Sequence, residues 1–291
     1  MHNIVTVWRK AVTAELSWIG PQGPVGIPVV PLVWMGGAPR GGDALCAALP
    51  LAHLRTLDTL TQHVAAFSVT EGGTSPRTTS GWCATGTVTV TPDLEGHLFT
   101  EHLLDQECLK HPPSRLRVDS LMARRENWWW LPRMIVTLTD VTRERKLPAR
   151  RAATDALLVR AHAHEPRVDA VRIQPDHPAP ASDSEPEPPE RISVHPRAEE
   201  GLAPLPAGRV LVFGHQHSPD FERWERWYRF GDLTEDHNGG ACLAVAQAGG
   251  TPQGPLEPFG LLERFRNHRQ LARACRDGIA TAERRGLDSS R

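Results

Sequence analysis

Residues 64–69 read Val-Ala-Ala-Phe-Ser-Val, and residues 82–91 read Trp-Cys-Ala-Thr-Gly-Thr-Val-Thr-Val-Thr. The first stretch is a compact apolar run bounded by polar and glycine residues, the length of a buried strand. In the second, Thr85, Thr87, Thr89 and Thr91 alternate with Gly86, Val88 and Val90. That two-residue period places the valines on one face of an extended chain. The two stretches are expected to pair, and the chain around them is expected to be β.

Upstream, Glu15-Leu-Ser-Trp-Ile19, the turn cluster Gly20-Pro-Gln-Gly-Pro24 and Val25 to Trp34 read as a hairpin. Pro28 and Pro31 lie in its second arm, and proline cannot donate to a ladder. That arm is therefore expected to be an edge strand, to bulge, or to leave the sheet. A third strand is expected at Ala44 to Leu49, with a short helix from about Leu51 to Leu60. Downstream, Phe99 with Leu103 and Leu104 with Cys108 have four-residue spacing, which predicts a helix from His97 to Lys110 ended by His111-Pro-Pro113. Trp128 to Leu138 is expected to be a further strand, bent at Pro132.

The second half is less regular. Pro175 to Pro206 holds nine prolines, with the acidic run Asp183-Ser-Glu-Pro-Glu-Pro-Pro-Glu190 inside it, and reads as a linker. Val210 to Gly214 is a strand candidate. Ser218, Pro219, Asp220 and Glu222 have the order of a helix start, predicting a helix to about Phe230 that would carry Phe221, Trp224 and Tyr228 on one side. A competing reading is a degenerate internal repeat. Val64 to Val69 followed by Trp82-x-x-x-Gly86 is similar to Val210-Leu-Val-Phe-Gly214 followed by Trp227-x-x-x-Gly231, with Ala156 to Arg160 and Val168 to Ile173 matching the first hairpin. The repeat would make Arg223 to Phe230 a strand, so the two readings conflict. Leu261 to Arg276 is expected to be helical, with Leu261, Phe265, His268, Ala272 and Cys275 on one face.

Composition narrows the function classes. The chain has 291 residues, 40% of them apolar and 23% charged, with a formal net charge of −1. It is long enough for two domains and is neither a disordered chain nor a polycation, which argues against nonspecific binding to nucleic acid or anionic membrane. The five cysteines are scattered with no CxxC, so neither a zinc ribbon nor a disulfide framework is expected. No apolar run approaches the ~18 residues of a membrane span, and a cytoplasmic protein is expected. There is no G-x-S-x-G, P-loop or G-x-G-x-x-G to support hydrolase, NTPase or Rossmann chemistry. His215-Gln-His217 with Asp220 has no further ligand at diagnostic spacing, so no metal is expected. His97, His102 and His111 read as solvated, and His268 as a core histidine.

The order of the N-terminal elements over about residues 8–148 resembles the FMN-binding split barrel of the pyridoxamine 5'-phosphate oxidase-like superfamily. The hairpin Glu15 to Trp34, the strand Ala44 to Leu49, the step Gly86-Thr-Val88, the helix His97 to Lys110 and the strand Met134 to Leu138 carry the resemblance. With the remainder read from its own residues as a connecting hairpin over 151–174, the Pro-rich linker over 175–206, and over 207–291 a smaller α+β region or a degenerate second barrel, it implies a mainly β, α+β chain that opens with an antiparallel split β-barrel over 1–150. It also implies FMN at a barrel interface, with heme as the alternative, and oxidoreductase chemistry on a small-molecule substrate in a homodimer or intramolecular pseudo-dimer, with no nucleic-acid or membrane partner. A non-catalytic binding or assembly module that has lost the flavin phosphate site is the competing reading.

The family's phosphate ligands come from the third strand and the helix after it, which here offer His53, Arg55 and Thr56 and lack the usual lysine. In Arg124-Arg-Glu-Asn-Trp-Trp-Trp-Leu-Pro-Arg133, read as extended, Trp128 and Trp130 share a face; these rings would border a planar cofactor, with Arg133 or Arg125 neutralising its anion, or else pack the barrel base. The candidate cofactor-binding set is thus His53, Arg55, Trp82, Trp128 and Arg133.

Overall fold

The computed structural model describes residues 2–37, 41–70, 80–119, 125–175, 190–198, 202, 208–235 and 241–287. Helix α1 (His2–Lys10) precedes seven strands: β1 (Ala14–Gly20), β2 (Gly23–Val29), β3 (Leu32–Trp34), β4 (Ala44–Pro50), β5 (Val64–Val69), β6 (Ser80–Asp93) and β7 (Arg133–Pro148). They form one antiparallel sheet in the order β2-β1-β5-β6-β7-β4-β3. All seven strands contribute to a single core with Ile4 and Trp8 of α1, so the sheet wraps around it. The prolines act as expected: β2 is an edge, and beyond Val29 the chain leaves it to build β3 on the opposite edge. A 3₁₀ turn (Leu51–His53) and α2 (Leu54–Leu57) join β4 to β5. A π turn (Phe99–Leu103), α3 (Leu104–Lys110), α4 (Pro112–Asp119) and a 3₁₀ turn (Arg125–Trp130) lie between β6 and β7.

The second half closes into a six-stranded barrel of β8 (Asp155–His162), β9 (Glu165–Pro175), β10 (Arg191–Pro196), β11 (Arg209–His217), β12 (Trp224–Glu235) and β13 (Ala241–Gly249). The spatial order β9-β8-β11-β12-β13-β10 repeats β2-β1-β5-β6-β7-β4 strand for strand, so the architecture is two related antiparallel units in one chain. The repeat extends to the Trp-x-x-x-Gly step. The ladder slips beside Gly86 in one unit and beside Gly231 in the other. A Cβ added to Gly86 would lie 1.8 Å from the Asp140 carbonyl oxygen, and one added to Gly231 would lie 1.9 Å from that of Ala244. Each glycine is present because the partner backbone passes through the space a side chain would need.

The helix predicted from Ser218 to Phe230 does not form. Residues 218–223 are the turn between β11 and β12, where the Ser218 hydroxyl accepts the Arg223 N–H at 3.1 Å. Trp224 to Asp232 then pairs with β11 from His217 back to Arg209. The capping residues close a hairpin instead of a helix, and a run rich in aromatics takes the ladder offered by β11. Within the Pro-rich stretch, Arg191 to Pro196 is β10; most of the rest, including Asp183 to Pro189, lies outside the described residues. The hairpin β8–β9 is part of the barrel, since β8 also pairs with β11.

Alternation along the strands explains how the two units join. In β8 and β11, Ala156, Leu158, Val210 and Val212 face the barrel's own core. Their neighbours Leu157, Val159, Leu211 and Phe213 point outward, where they meet Ala66, Cys83 and Leu147 of the first unit. Strands buried on both faces read as continuous apolar runs, which is why Val64–Val69 and Val210–Phe213 lack a clean alternation. The last helix, α5 (Leu261–Arg284), returns to the first unit and packs across the turns Leu51–His53 and Arg125–Trp130. The strand expected from Trp128 begins only at Arg133. Trp128 to Trp130 are in the 3₁₀ turn, so the predicted alternation is replaced by a buried Trp129–Trp130 pair and an exposed Trp128.

Candidate functional site

The chemistry-bearing residues gather at the end of the first sheet where β7 begins, because Arg133 pairs there with both Pro50 of β4 and Asp93 of β6. The β4–β5 and β6–β7 connections emerge at that end and α5 lies over them. Gly278 of α5 sits so close to the Leu51 carbonyl that an added Cβ would be 2.2 Å from its oxygen. Ala272 and Cys275 join Phe99, Trp129, Trp130 and Ile135 in a small core beneath the helix.

Beside this core is a groove of about 500 Å³ bordered by Leu94, Glu95, His97, Trp128, Trp129, Leu131, Pro132, Arg276 and Ile279, a volume within the range of small-molecule sites. Trp128 is 55% exposed on its wall, whereas Trp129 is 6% exposed and its indole N–H has no acceptor among the described residues. Arg276 brings a cation, and His97 lies 2.9 Å from Glu95. An aromatic wall and a cation on one rim suit a flat molecule that carries negative charge.

Arg133 does not reach this groove. It is fully buried, its guanidinium 4.1 Å from the centre of the Phe99 ring and 4.7 Å from that of Trp130. It donates to the Trp130 carbonyl and approaches Glu107 at 3.6 Å. Glu107 accepts a hydrogen bond from Ser114 at 2.6 Å, and the Ser114 hydroxyl lies 2.8 Å from His111 Nδ1. His111, expected to be solvated, is instead enclosed; burial, helped by the nearby cations Arg117 and Arg133, pushes its pKa down to about 3. Its ring lies 6.1 Å from Trp224 and 6.3 Å from Phe221, so this chain of polar groups reaches the second unit.

A second polar cluster lies in the seam. The buried Glu15 carboxylate accepts hydrogen bonds from Ser68 (2.9 Å), Thr70 (2.7 Å) and Arg150 (2.8 Å), with His215 Nε2 at 3.0 Å. Burial alone would raise its pKa, but the Arg150 charge and the hydrogen bonds outweigh it and hold the carboxyl at about 2. The Trp224 indole N–H donates to His215 Nδ1 at 3.3 Å. His215 is thus engaged with Glu15 and Trp224, His217 stacks on Phe221, and Asp220 bonds Ser218 and Arg264. Among the described residues no cluster of three or more metal-ligating groups occurs.

The five residues singled out from the sequence are not brought to one place. Trp82 pairs with Lys146 while Asp93 of the same strand pairs with Arg133; the intervening ladder puts Trp82 roughly 35 Å from Arg133 at ~3.3 Å per residue. Trp82 packs there beneath the Lys146 ammonium. His53, in the turn under α5, has a pKa lowered by burial, and Arg55 is exposed on α2. Trp128 borders the groove, and the side chain of Arg125 lies outside the described residues. His268 is exposed and touches Trp129 edge-on rather than lying in the core. Sequence reasoning missed Arg276, which only the crossing of α5 over the tryptophan turn brings beside Trp128 and Trp129. Glu15 was detectable as an acid inside an apolar strand.

No protein-family model matches this chain, and no curated protein matches it. Among solved structures, a pyridoxamine 5'-phosphate oxidase-related, FMN-binding protein from Nostoc punctiforme is similar over 68% of this chain and 89% of its own, with 13% identity and a TM-score of 0.28. A likeness of that size says nothing about ligands. The antiparallel, split-barrel-like α+β architecture is established by the strand order itself, and no helix among the described residues is long and apolar enough to cross a membrane.

Proposed function

We propose that this protein is a split-barrel ligand-binding protein whose groove between α5 and the tryptophan turn takes a planar, anionic, flavin-like molecule. The observation that carries the reading is the half-exposed Trp128 ring on the wall of a groove that the Arg276 cation also borders. Trp128 offers a stacking face and Arg276 charge neutralisation, while Leu94, Leu131, Pro132 and Ile279 exclude water from the ring.

The residues present fit a flavin ring with one anionic group at this groove. They do not fit a flavin phosphate held jointly by His53, Arg55 and Arg133, since Arg133 is enclosed by Glu107 and two aromatic rings. A bound flavin would supply the electron transfer of an oxidoreductase, and the chain's own part would be to orient the ring and balance its charge. The competing reading is a binding or assembly module without redox chemistry; the seam favours it, because apolar side chains and the Glu15 cluster pack the interface between the two units.

Absorbance of the purified protein and a titration with FMN followed by tryptophan fluorescence test the proposal. The expected outcome is saturable quenching that falls by roughly tenfold in affinity for Trp128→Ala, the order of one lost aromatic stack, and also falls for Arg276→Glu. A heme Soret band would replace flavin by the alternative cofactor. No quenching, or quenching unaffected by either substitution, would remove the groove as the site.

A further inference from the structure

The first half of α5 exposes large apolar side chains to solvent. Leu261, Leu262 and Phe265 are 85%, 76% and 55% exposed. The helix is held from its other side, where Ala272, Cys275, Gly278 and Ala282 are buried. At ~100° per residue, Leu262, Phe265, Arg266, Arg269 and Arg273 fall within an arc of roughly 100°. Glu263, the only acid between 261 and 276, projects elsewhere and accepts the Gly260 N–H at 3.0 Å.

Arg264, off this arc, is neutralised by Asp220 and Glu222, each at 2.8 Å. Arg266, Arg269 and Arg273 are exposed and have no ion-pair partner among the described residues. Exposed aliphatic and aromatic side chains interleaved with unpaired arginines form an apolar, cationic patch.

From this patch we propose that α5 docks the protein flat on an anionic phospholipid surface, with Leu261, Leu262 and Phe265 entering the headgroup region and Arg266, Arg269 and Arg273 meeting lipid phosphates. Both halves of the pattern are needed by such a partner: apolar residues gain by leaving water, and each arginine gains from the negative surface potential. A nucleic-acid strand would use the arginines but not the two leucines. The face of Phe265 is also already covered by the Arg269 guanidinium, 4.2 Å from the ring centre, leaving little for a base to stack on. The chain's net charge of −1 is an average that conceals this segregation.

Co-sedimentation of the full-length protein with phosphatidylcholine vesicles, with and without phosphatidylglycerol, tests the proposal. Binding is expected only to the anionic vesicles and is expected to fall with added salt. The variant R266E/R269E/R273E is expected to lose it by roughly tenfold or more, and L262S/F265S to weaken it severalfold at unchanged charge; all five positions are exposed, so circular dichroism should show both variants folded. Equal binding to neutral vesicles, no binding to either, or full binding by the charge-reversed variant would overturn it. So would an unaltered L262S/F265S, or arginine-dependent binding of a single-stranded oligonucleotide without vesicle binding. The substituted residues do not border the groove beside Trp128, so failure here leaves the flavin titration unaffected and the converse also holds.

Discussion

Glu15 shows how much one side chain can commit in a buried seam. Its carboxylate is the acceptor for Ser68 and Thr70 of its own sheet, for Arg150 in the connection to the second unit, and lies beside His215 of β11. Replacing one member of such a cluster leaves the others desolvated without a counter-charge, so Glu15→Gln is expected to cost on the order of 3 kcal/mol, seen as a lowered melting temperature. The pH dependence has a definite sign. The folded-state pKa of about 2 lies below the ordinary 4.5, so the ionised form stabilises the fold fully above pH 4.5 and that contribution is lost as pH falls toward 2. The melting-temperature gap between wild type and Glu15→Gln should therefore narrow across that window; a gap that stays constant would show that the carboxylate charge is not what the seam uses. Arg133 carries a related lesson: an arginine beside three tryptophans reads as a ligand for an anion, yet its charge is spent on Glu107 and the Trp130 carbonyl.

At the scale of elements, the strands were the legible part of the sequence. Val64 to Val69 matches β5 residue for residue, and Ala44 to Leu49 lies within β4, because the length and the polar or glycine borders of an apolar run are properties of a few consecutive residues. The segment from Ser218 to Phe230 was not legible in the same way. Its capping signals and its aromatic content point to different structures, and the choice depends on whether β11, the partner, is in place. The internal repeat did contain the answer, since Trp227-x-x-x-Gly231 has the spacing of Trp82-x-x-x-Gly86. If the two glycines do the same job, Gly86→Ala and Gly231→Ala should destabilise comparably, each by roughly 2–3 kcal/mol in chemical denaturation. A neutral Gly231→Ala would separate the two bulges and with them the equivalence of the two units at this point.

For the molecule as a whole, the two units are joined by outward-facing residues of β8 and β11 and by a helix that crosses back to the first unit. Phe213 touches the first unit so closely that a Cβ on Gly26 would come 2.3 Å from its ring. The seam and α5 together predict a single cooperative transition, with tryptophan fluorescence and far-ultraviolet circular dichroism coincident during urea unfolding. Phe213→Ala is expected to lower stability by roughly 3–5 kcal/mol without splitting that transition. Two separated transitions in the wild type would mean that the units are coupled only weakly.

The sequence by itself determined the antiparallel β character, most strand positions, the edge role of the proline-bearing arm, and the existence of a terminal helix. These rest on short-range periodicity and on the geometry of proline, which act within a few residues. Tertiary structure alone decided which strand faces met across the seam and that Arg276 came to stand beside Trp128. Those outcomes depend on contacts between residues more than a hundred positions apart, whose energies no local pattern encodes.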